Sequence, residues 1–309
     1  MLNLLIRKII QGVLMLLVIS AITFALLSAA GGDALSALRD NPQISERTIE
    51  NLRKVYGLDR PLIERYGSWL VSAATGNLGE SIAFRIPVST LVGSRFLNTL
   101  MMGVLALTLA IGTSLLLAVF SVMRERRIVD AVVEALIFLT ASTPRMVLSL
   151  LALLLSLSIL PRGSSGGTYW FQLIAGSIVL AVPLISIFLA QLVNGLKEVM
   201  EEDFIRLARA KGLSEWQVVS RHALRVSLNP FLTIAGLSLG GLLGGSVIVE
   251  TVLGWQGIGA LMVTAVRGRD VPLVMGIVMI ASAAVWFGNT LAEFLQAFND
   301  KRIRDGIDG

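Results

Sequence analysis

Few side chains in this 309-residue chain have the types and spacing for bond chemistry, and the ones that are missing narrow the field first. There is no cysteine, which excludes disulfides, iron–sulfur clusters and thiolate metal sites. The single histidine, His222, cannot build an imidazole metal site alone, so no metal or other cofactor is expected. None of the five lysines (Lys8, Lys54, Lys197, Lys211 and Lys301) is followed by Ser or Thr, so no GxxxxGK[ST] loop exists to cradle nucleotide phosphates. The chain is not expected to be an enzyme by itself. What remains is a polar, basic stretch from Phe204 to Thr233, FIRLARAKGLSEWQVVSRHALRVSLNPFLT, flanked by long apolar runs. Gly212 interrupts the helical pattern after Arg209 and Lys211, as a helix C-terminus does. Ser214 with Gln217 three residues on reads as a capping box that restarts the helix. Asn229-Pro230 is expected to close the segment where the next apolar run begins. A helix, a glycine corner and a second helix standing out of apolar surroundings form a docking element for another macromolecule; the alternative is an ordinary basic loop.

The elements that must hold this corner are membrane spans. Hydrophobic residues make up 55% of the chain and charged residues 15%, against roughly 25% charged in soluble domains. With a mean hydropathy of +0.78, the chain reads as an all-α integral membrane protein. Apolar runs of at least about 18 residues number six: Ile9–Ala30, Asn98–Met123, Ile128–Leu160, Trp170–Leu196, Leu228–Leu253 and Val271–Phe298. The third is too long for one straight span and contains Thr143-Pro144, which predicts a broken or kinked helix. The first, behind Arg7-Lys8 and ending Ser28-Ala29-Ala30, resembles a signal peptide; its length and the charge pattern favour a retained span.

Basic residues orient the spans. Arg7 and Lys8, then Arg124, Arg126 and Arg127, then Lys197, Arg206, Arg209, Lys211, Arg221 and Arg225, and finally Lys301, Arg302 and Arg304 supply 14 of the 26 Lys and Arg on one face. The opposite loops, Pro161–Tyr169 and Gly254–Asp270, carry only Arg162, Arg267 and Arg269. Both termini are therefore expected in the cytoplasm, with Gly31–Leu97 outside. The formal charge of +5 fits basic loops facing anionic membrane lipid, so nucleic-acid binding is a poor inference from it. In the outer stretch, Ile44–Tyr56 shows Ser45 and Glu46 at its start and Ile49, Leu52 and Val55 at helical spacing. Gly57-Leu58-Asp59-Arg60-Pro61 turns into a second amphipathic segment, Leu62–Val71, whose Tyr66 and Trp69 suit a membrane interface. Gly76-Asn77-Leu78-Gly79-Glu80-Ser81 is a turn.

Inside the spans, Gly236, Gly240 and Gly244 recur every four residues, with Gly241 and Gly245 beside them. Small residues at that spacing let helices approach closely, either within the chain or as a sliding face towards a partner. Arg145, next to Pro144, is a permanent charge in an apolar run and needs a cavity, a partner or an interface. It can meet an anionic ligand, snorkel to the outer interface, or pair with Glu250. Glu250 reads as a structural hydrogen-bond acceptor more than a ligand. Asp130 and Glu134, near the start of the third run, are expected in water or paired with Arg124–Arg127.

The ARAKGLSE run followed by RHALR, with Pro230 eighteen positions after Gly212, resembles the cytoplasmic "EAA" loop of ABC importer permeases, in the variant of the dipeptide, oligopeptide and nickel permease family. The order GLDRPL, RYGSWL, GNLGES, Pro87-Val88 and Leu97-Asn98-Thr99-Leu100 resembles that family's first outer loop. The likeness continues through Gly240–Gly245, Glu250-Thr251, Gly254–Gly259, Arg269-Asp270 and Lys301-Arg302-Ile303-Arg304, nearly the whole chain. Arg145 departs from the aromatic or apolar residue the resemblance implies around that position. The resemblance implies a type I ABC importer transmembrane domain. It would comprise a first span and outer loop (1–97), a five-helix core (98–298) with the coupling loop at 197–227, and a cytoplasmic tail (299–309). It implies a second, related permease subunit, two ATPase subunits and an extracytoplasmic substrate-binding protein as partners. It also implies that Arg206, Ala208, Ala210, Lys211, Gly212, Leu213 and Ser214 couple to the ATPase. Arg145, Gly240 and Gly244 are the candidates for the substrate path. Peptide, nickel, opine-type metallophore and glutathione carriers share the pattern. The competing class, a self-contained secondary transporter or channel, calls for inverted repeats, broken helices in both halves and titratable residues at mid-membrane. The halves do not match and intramembrane acids are few. A purely structural scaffold leaves the glycine corner unexplained.

Overall fold

The computed structural model describes residues 2–29, 46–55, 57, 59–124, 127–159 and 165–299. Ala30–Ser45, Tyr56, Leu58, Arg126, Arg162 and the tail from Asp300, including Lys301, Arg302, Ile303 and Arg304, lie outside them. The described chain is helical throughout: α1 Leu2–Ala29, α2 Glu46–Val55, α3 Leu62–Ala74, α4 Val88–Arg124, α5 Arg127–Ser142, α6 Arg145–Ile159, α7 Ser165–Met200, α8 Asp203–Ala210, α9 Glu215–Gln217, a π-helical turn Val218–Ala223, α10 Leu224–Leu253, α11 Ile258–Arg267 and α12 Val271–Asn299. Five helices are long and apolar enough to cross a membrane, and the pair α5–α6 makes a sixth if its break is counted as one span. That break bends by 88°. Thr143 precedes a proline, which pushes it out of the helical region, and Pro144 has no N–H to continue the ladder. The kink read at Thr143-Pro144 is thus a corner between two half-helices.

The chain divides into two compact units, one of Leu100–Trp255 with the segment from Phe287, the other of Leu2–Thr99 with Gln256–Trp286. In the first, α7 is the hub, packed by α5, α6 and α10. Its apolar stretch is 56% buried, against 17–33% for the other long spans, so those retain large apolar faces that only lipid or partner subunits can cover. Leu180, Leu184, Phe188, Leu189, Leu192 and Leu196 line its buried side, each worth about 1.5–3 kcal/mol of burial. Close approach comes from small residues. A Cβ on Gly176 would meet the Met102 side chain at 2.6 Å, and Ser177 Oγ donates across to the Met102 carbonyl at 3.1 Å. Pro183 and Pro230 both sit inside helices. The expectation that Asn229-Pro230 ends a segment is therefore corrected. The chain is helical from Glu215 to Leu253, because a membrane helix tolerates the single backbone bond that one proline removes.

In the second unit, Gly57 (φ 61°), Gly76 (φ 85°) and Gly79 (φ 89°) take left-handed turns at the places read as turns. The fully buried Asp270 caps α12 by accepting from Leu273 N at 3.1 Å. Its other oxygen accepts from Ser81 Oγ at 2.6 Å and Ala83 N at 3.0 Å. One carboxylate thereby ties the GNLGES turn to the start of the last span. Tyr66 does not anchor at a free interface. Its ring packs on Phe24 at 5.5 Å and its hydroxyl meets Ser20 Oγ at 3.0 Å, holding α3 to α1.

Candidate functional site: the coupling corner

The corner begins where α8 ends. Leu213 N donates to Ala208 O at 3.4 Å and Gly212 N to Arg209 O at 2.9 Å, the pair of bonds that closes a Schellman motif, with Gly212 left-handed at φ 79°. Two residues later Ser214 takes the β region. Its Oγ accepts from Gln217 N at 3.4 Å while Ser214 N donates to Gln217 Oε1 at 3.1 Å, so the capping box is complete. Arg209 then spans the corner with a two-pronged contact to Glu215, at 2.9 and 3.2 Å. Gly212 N, Leu213 N, Ser214 N and Gln217 N are thereby all engaged within ten residues, which makes the corner a defined shape and not a loose loop.

The corner has an inside and an outside. Ile205 and Ala208 of α8, and Val218, Val219 and Ala223 of the π turn, are buried. Of the residues expected to touch an ATPase, Arg206, Ala210, Lys211, Gly212 and Ser214 are exposed, and Leu213 is half-buried. Ala208 faces inward at 6% exposure, so its part is to let α8 seat against the chain. Three apolar side chains the sequence reading passed over stand outside: Phe204, Leu207 and Trp216, the last two 58% and 59% exposed. The signal was in the sequence, since α8 puts apolar residues on more than one face. Arg206 bonds its own helix through Asp203 at 3.0 Å.

Behind the corner, Asp130 pairs with Lys197 at 2.9 Å and accepts from Ser121 Oγ at 3.3 Å. This corrects the expected pairing with Arg124–Arg127. Lys197, at the far end of the 36-residue α7, reaches back over the first turn of α5, where a carboxylate also complements the helix dipole.

The substrate-path candidates are not all brought together. Arg145 opens α6 at the 88° corner and is half-buried, its guanidinium set against Gly245 of α10 with Nη1 nearest. A Cβ at Gly245 would occupy the same space as that guanidinium. Among the described residues Arg145 has no side-chain hydrogen bond or ion pair, so the expected alternative of a pair with Glu250 is not formed. Glu250 is fully buried, and its backbone carbonyl accepts from Gly254 and Trp255 at the end of α10, a contact independent of the side chain. The glycines split. A Cβ on Gly236 would run into Ala292, which is packing within the chain, whereas Gly241 and Gly244 have nothing within 4 Å. Gly240 is half-buried.

The comparisons agree along the length of the chain. Residues 110–305 match the family described as binding-protein-dependent transport system inner membrane component, and residues 1–113 match its N-terminal membrane region. A putative peptide permease protein of Brucella suis is 31% identical over 98% of this chain and 99% of its own length. The oligopeptide transport system permease protein AppB of Bacillus subtilis is 31% identical over 96% and 98%, and the glutathione transport system permease protein GsiC of Escherichia coli 30% over 98% and 99%. A crystal structure of an amino acid ABC transporter with histidines superposes with a TM-score of 0.54 at 17% identity, over 68% of this chain and 94% of that one, which supports the fold alone. The chain therefore belongs to the inner-membrane components of binding-protein-dependent transport systems, as a permease subunit of an ABC importer.

Proposed function

We propose that this permease converts nucleotide-driven closure of two ATPase subunits into alternating access for peptide-class cargo, with the Asp203–Ala223 corner as the lever. The observation that carries this is the doubly closed corner at Gly212, which presents Phe204, Leu207 and Trp216 to the outside on a backbone with no slack. Apolar and aromatic anchors beside exposed Arg206 and Lys211 suit a groove on a partner protein. From Glu215 the chain runs as one helical stretch into α10, so force on the corner is delivered along the helix that packs on the hub. In this reading the termini and the corner are cytoplasmic, a second related permease covers the open apolar faces, and an extracytoplasmic binding protein delivers cargo. Peptides are favoured because the relatives named above are peptide, oligopeptide and glutathione permeases.

A second, narrower reading rests on Arg145. A half-buried guanidinium with no carboxylate partner, at a helix corner, favours cargo with a negative charge, including carboxylate-rich nickel or metallophore chelates. The decisive experiment reconstitutes the complex in liposomes and measures uptake and ATP hydrolysis together. Replacing Gly212 with Val is expected to leave the complex assembled but to lose uptake per ATP. Unchanged uptake and unchanged stimulation of the ATPase would refute the lever.

A further inference from the structure

The second unit holds a cavity of about 340 Å³ that the transport reading does not use. One wall is a single face of α3, with Arg65, Ser68, Trp69 and Ser72 at helical spacing. The floor is apolar: Phe24 of α1 and Met275 of α12, both buried, with Ile82 and Pro272 beside them. Phe24 lies five residues before the end of α1 and Met275 four residues into α12, so the floor sits about one helical turn inside the ends of two membrane spans. The rim is cationic. Lys54, Arg60 and Arg65 all border the cavity, and among the described residues no Asp or Glu does. Among the described residues none of the three has an ion pair; Arg65 only lies over the Phe24 ring at 5.7 Å. The Trp69 indole N–H is buried without an acceptor. Three cations and one orphaned donor converge on a volume whose floor is hydrocarbon-like. An unmet donor at such a site is destabilising until something accepts from it.

We propose that this cavity holds one anionic phospholipid, its phosphate between Lys54, Arg60 and Arg65 and its glycerol and upper acyl chain on Phe24, Trp69 and Met275. A lipid fits better than a free anion because the floor is made of apolar side chains from two spans, where a soluble phosphate has nothing to contact. Seated there, the lipid joins α1, α3 and α12 through one molecule. The proposal is independent of which side of the membrane the loop faces, and of the cargo and the ATPase lever, so its test can fail while those stand.

The test purifies the full permease complex in mild detergent, identifies retained lipid by native mass spectrometry, and measures thermal shifts with phosphatidylglycerol, phosphatidylcholine or inorganic phosphate added. Wild type is expected to retain one phosphatidylglycerol per chain and to be stabilised by it in preference to phosphatidylcholine. Lys54→Gln with Arg60→Gln, both at exposed side chains that leave the fold undisturbed, should weaken retention about a hundredfold, roughly tenfold for each charge-assisted contact removed. Trp69→Phe, which keeps the ring and deletes the donor, should weaken it by about threefold or more. Equal retention of both lipids, or retention unchanged in the double variant, overturns the proposal. Inorganic phosphate stabilising as well as phosphatidylglycerol would assign the cations to a free anion and overturn the lipid.

Discussion

Replacing Gly212 is the sharpest way to test whether the corner transmits force. Its φ of 79° lies where a side chain costs about 1–2 kcal/mol, and nothing stands within 4 Å of the place a Cβ would take. The cost of Gly212→Ala is therefore purely conformational, with no clash to add. Against it stand two closing backbone bonds, to Arg209 O and Ala208 O, each contributing about 0.5–1.5 kcal/mol net. The exposed Arg209–Glu215 pair adds about 0.2–1 kcal/mol. For alanine the closure roughly balances the strain, so the corner persists with a shifted population. Valine adds branching at Cβ in a region that β-branched residues avoid, and the balance tips to an open corner. Asparagine tolerates the left-handed region and should behave nearly as glycine. The expected order of uptake per ATP in proteoliposomes is Gly, then Asn, then Ala, then Val. The folded core should be unaffected, because α7 and its neighbours bury their contacts elsewhere. If the three variants transport like the wild type, or if Asn fails as badly as Val, backbone geometry at Gly212 is not what transmits the stroke.

Ser214→Ala removes the cap acceptor and should cost about 1 kcal/mol locally, seen as faster amide exchange at Gln217, whereas Ser214→Asp should retain protection. Asp270→Asn leaves one oxygen to serve three donors and should lower the melting temperature of the purified chain, by losing at least one bond worth about 1.5–3 kcal/mol; an unchanged melting temperature would contradict the clamp. Gly245→Ala should displace the Arg145 guanidinium, so that combining it with Arg145→Gln is markedly non-additive in uptake of an anionic peptide, while additivity would separate the two residues. Because the native chain has no cysteine, an impermeant thiol reagent should label Thr75→Cys but not Glu201→Cys in intact cells, and the reverse pattern would invert the proposed orientation.

Much of this protein is written locally in its chain. Apolar run lengths dictate spans, because a bilayer admits only backbones that satisfy themselves. The glycine corner and its cap follow from two residues, Gly212 and Ser214, whose backbone and side-chain preferences act over three or four positions. Thr143-Pro144 announced a break for the same reason. What the sequence left open depends on which distant residues are brought into contact. It did not say that Ala208 would face inward while Leu207 and Trp216 face out, since that follows from how α8 seats on its own chain. It offered Arg124–Arg127 as partners for Asp130, whereas the return of α7 supplies Lys197. It placed Pro230 at an end because it counted only the missing donor, whereas the helix runs on through Pro230 to Leu253. It could not separate Gly245, against which Arg145 lies, from Gly244 one residue away, since a helix turns each residue by about 100° and only a neighbouring helix decides which one is covered.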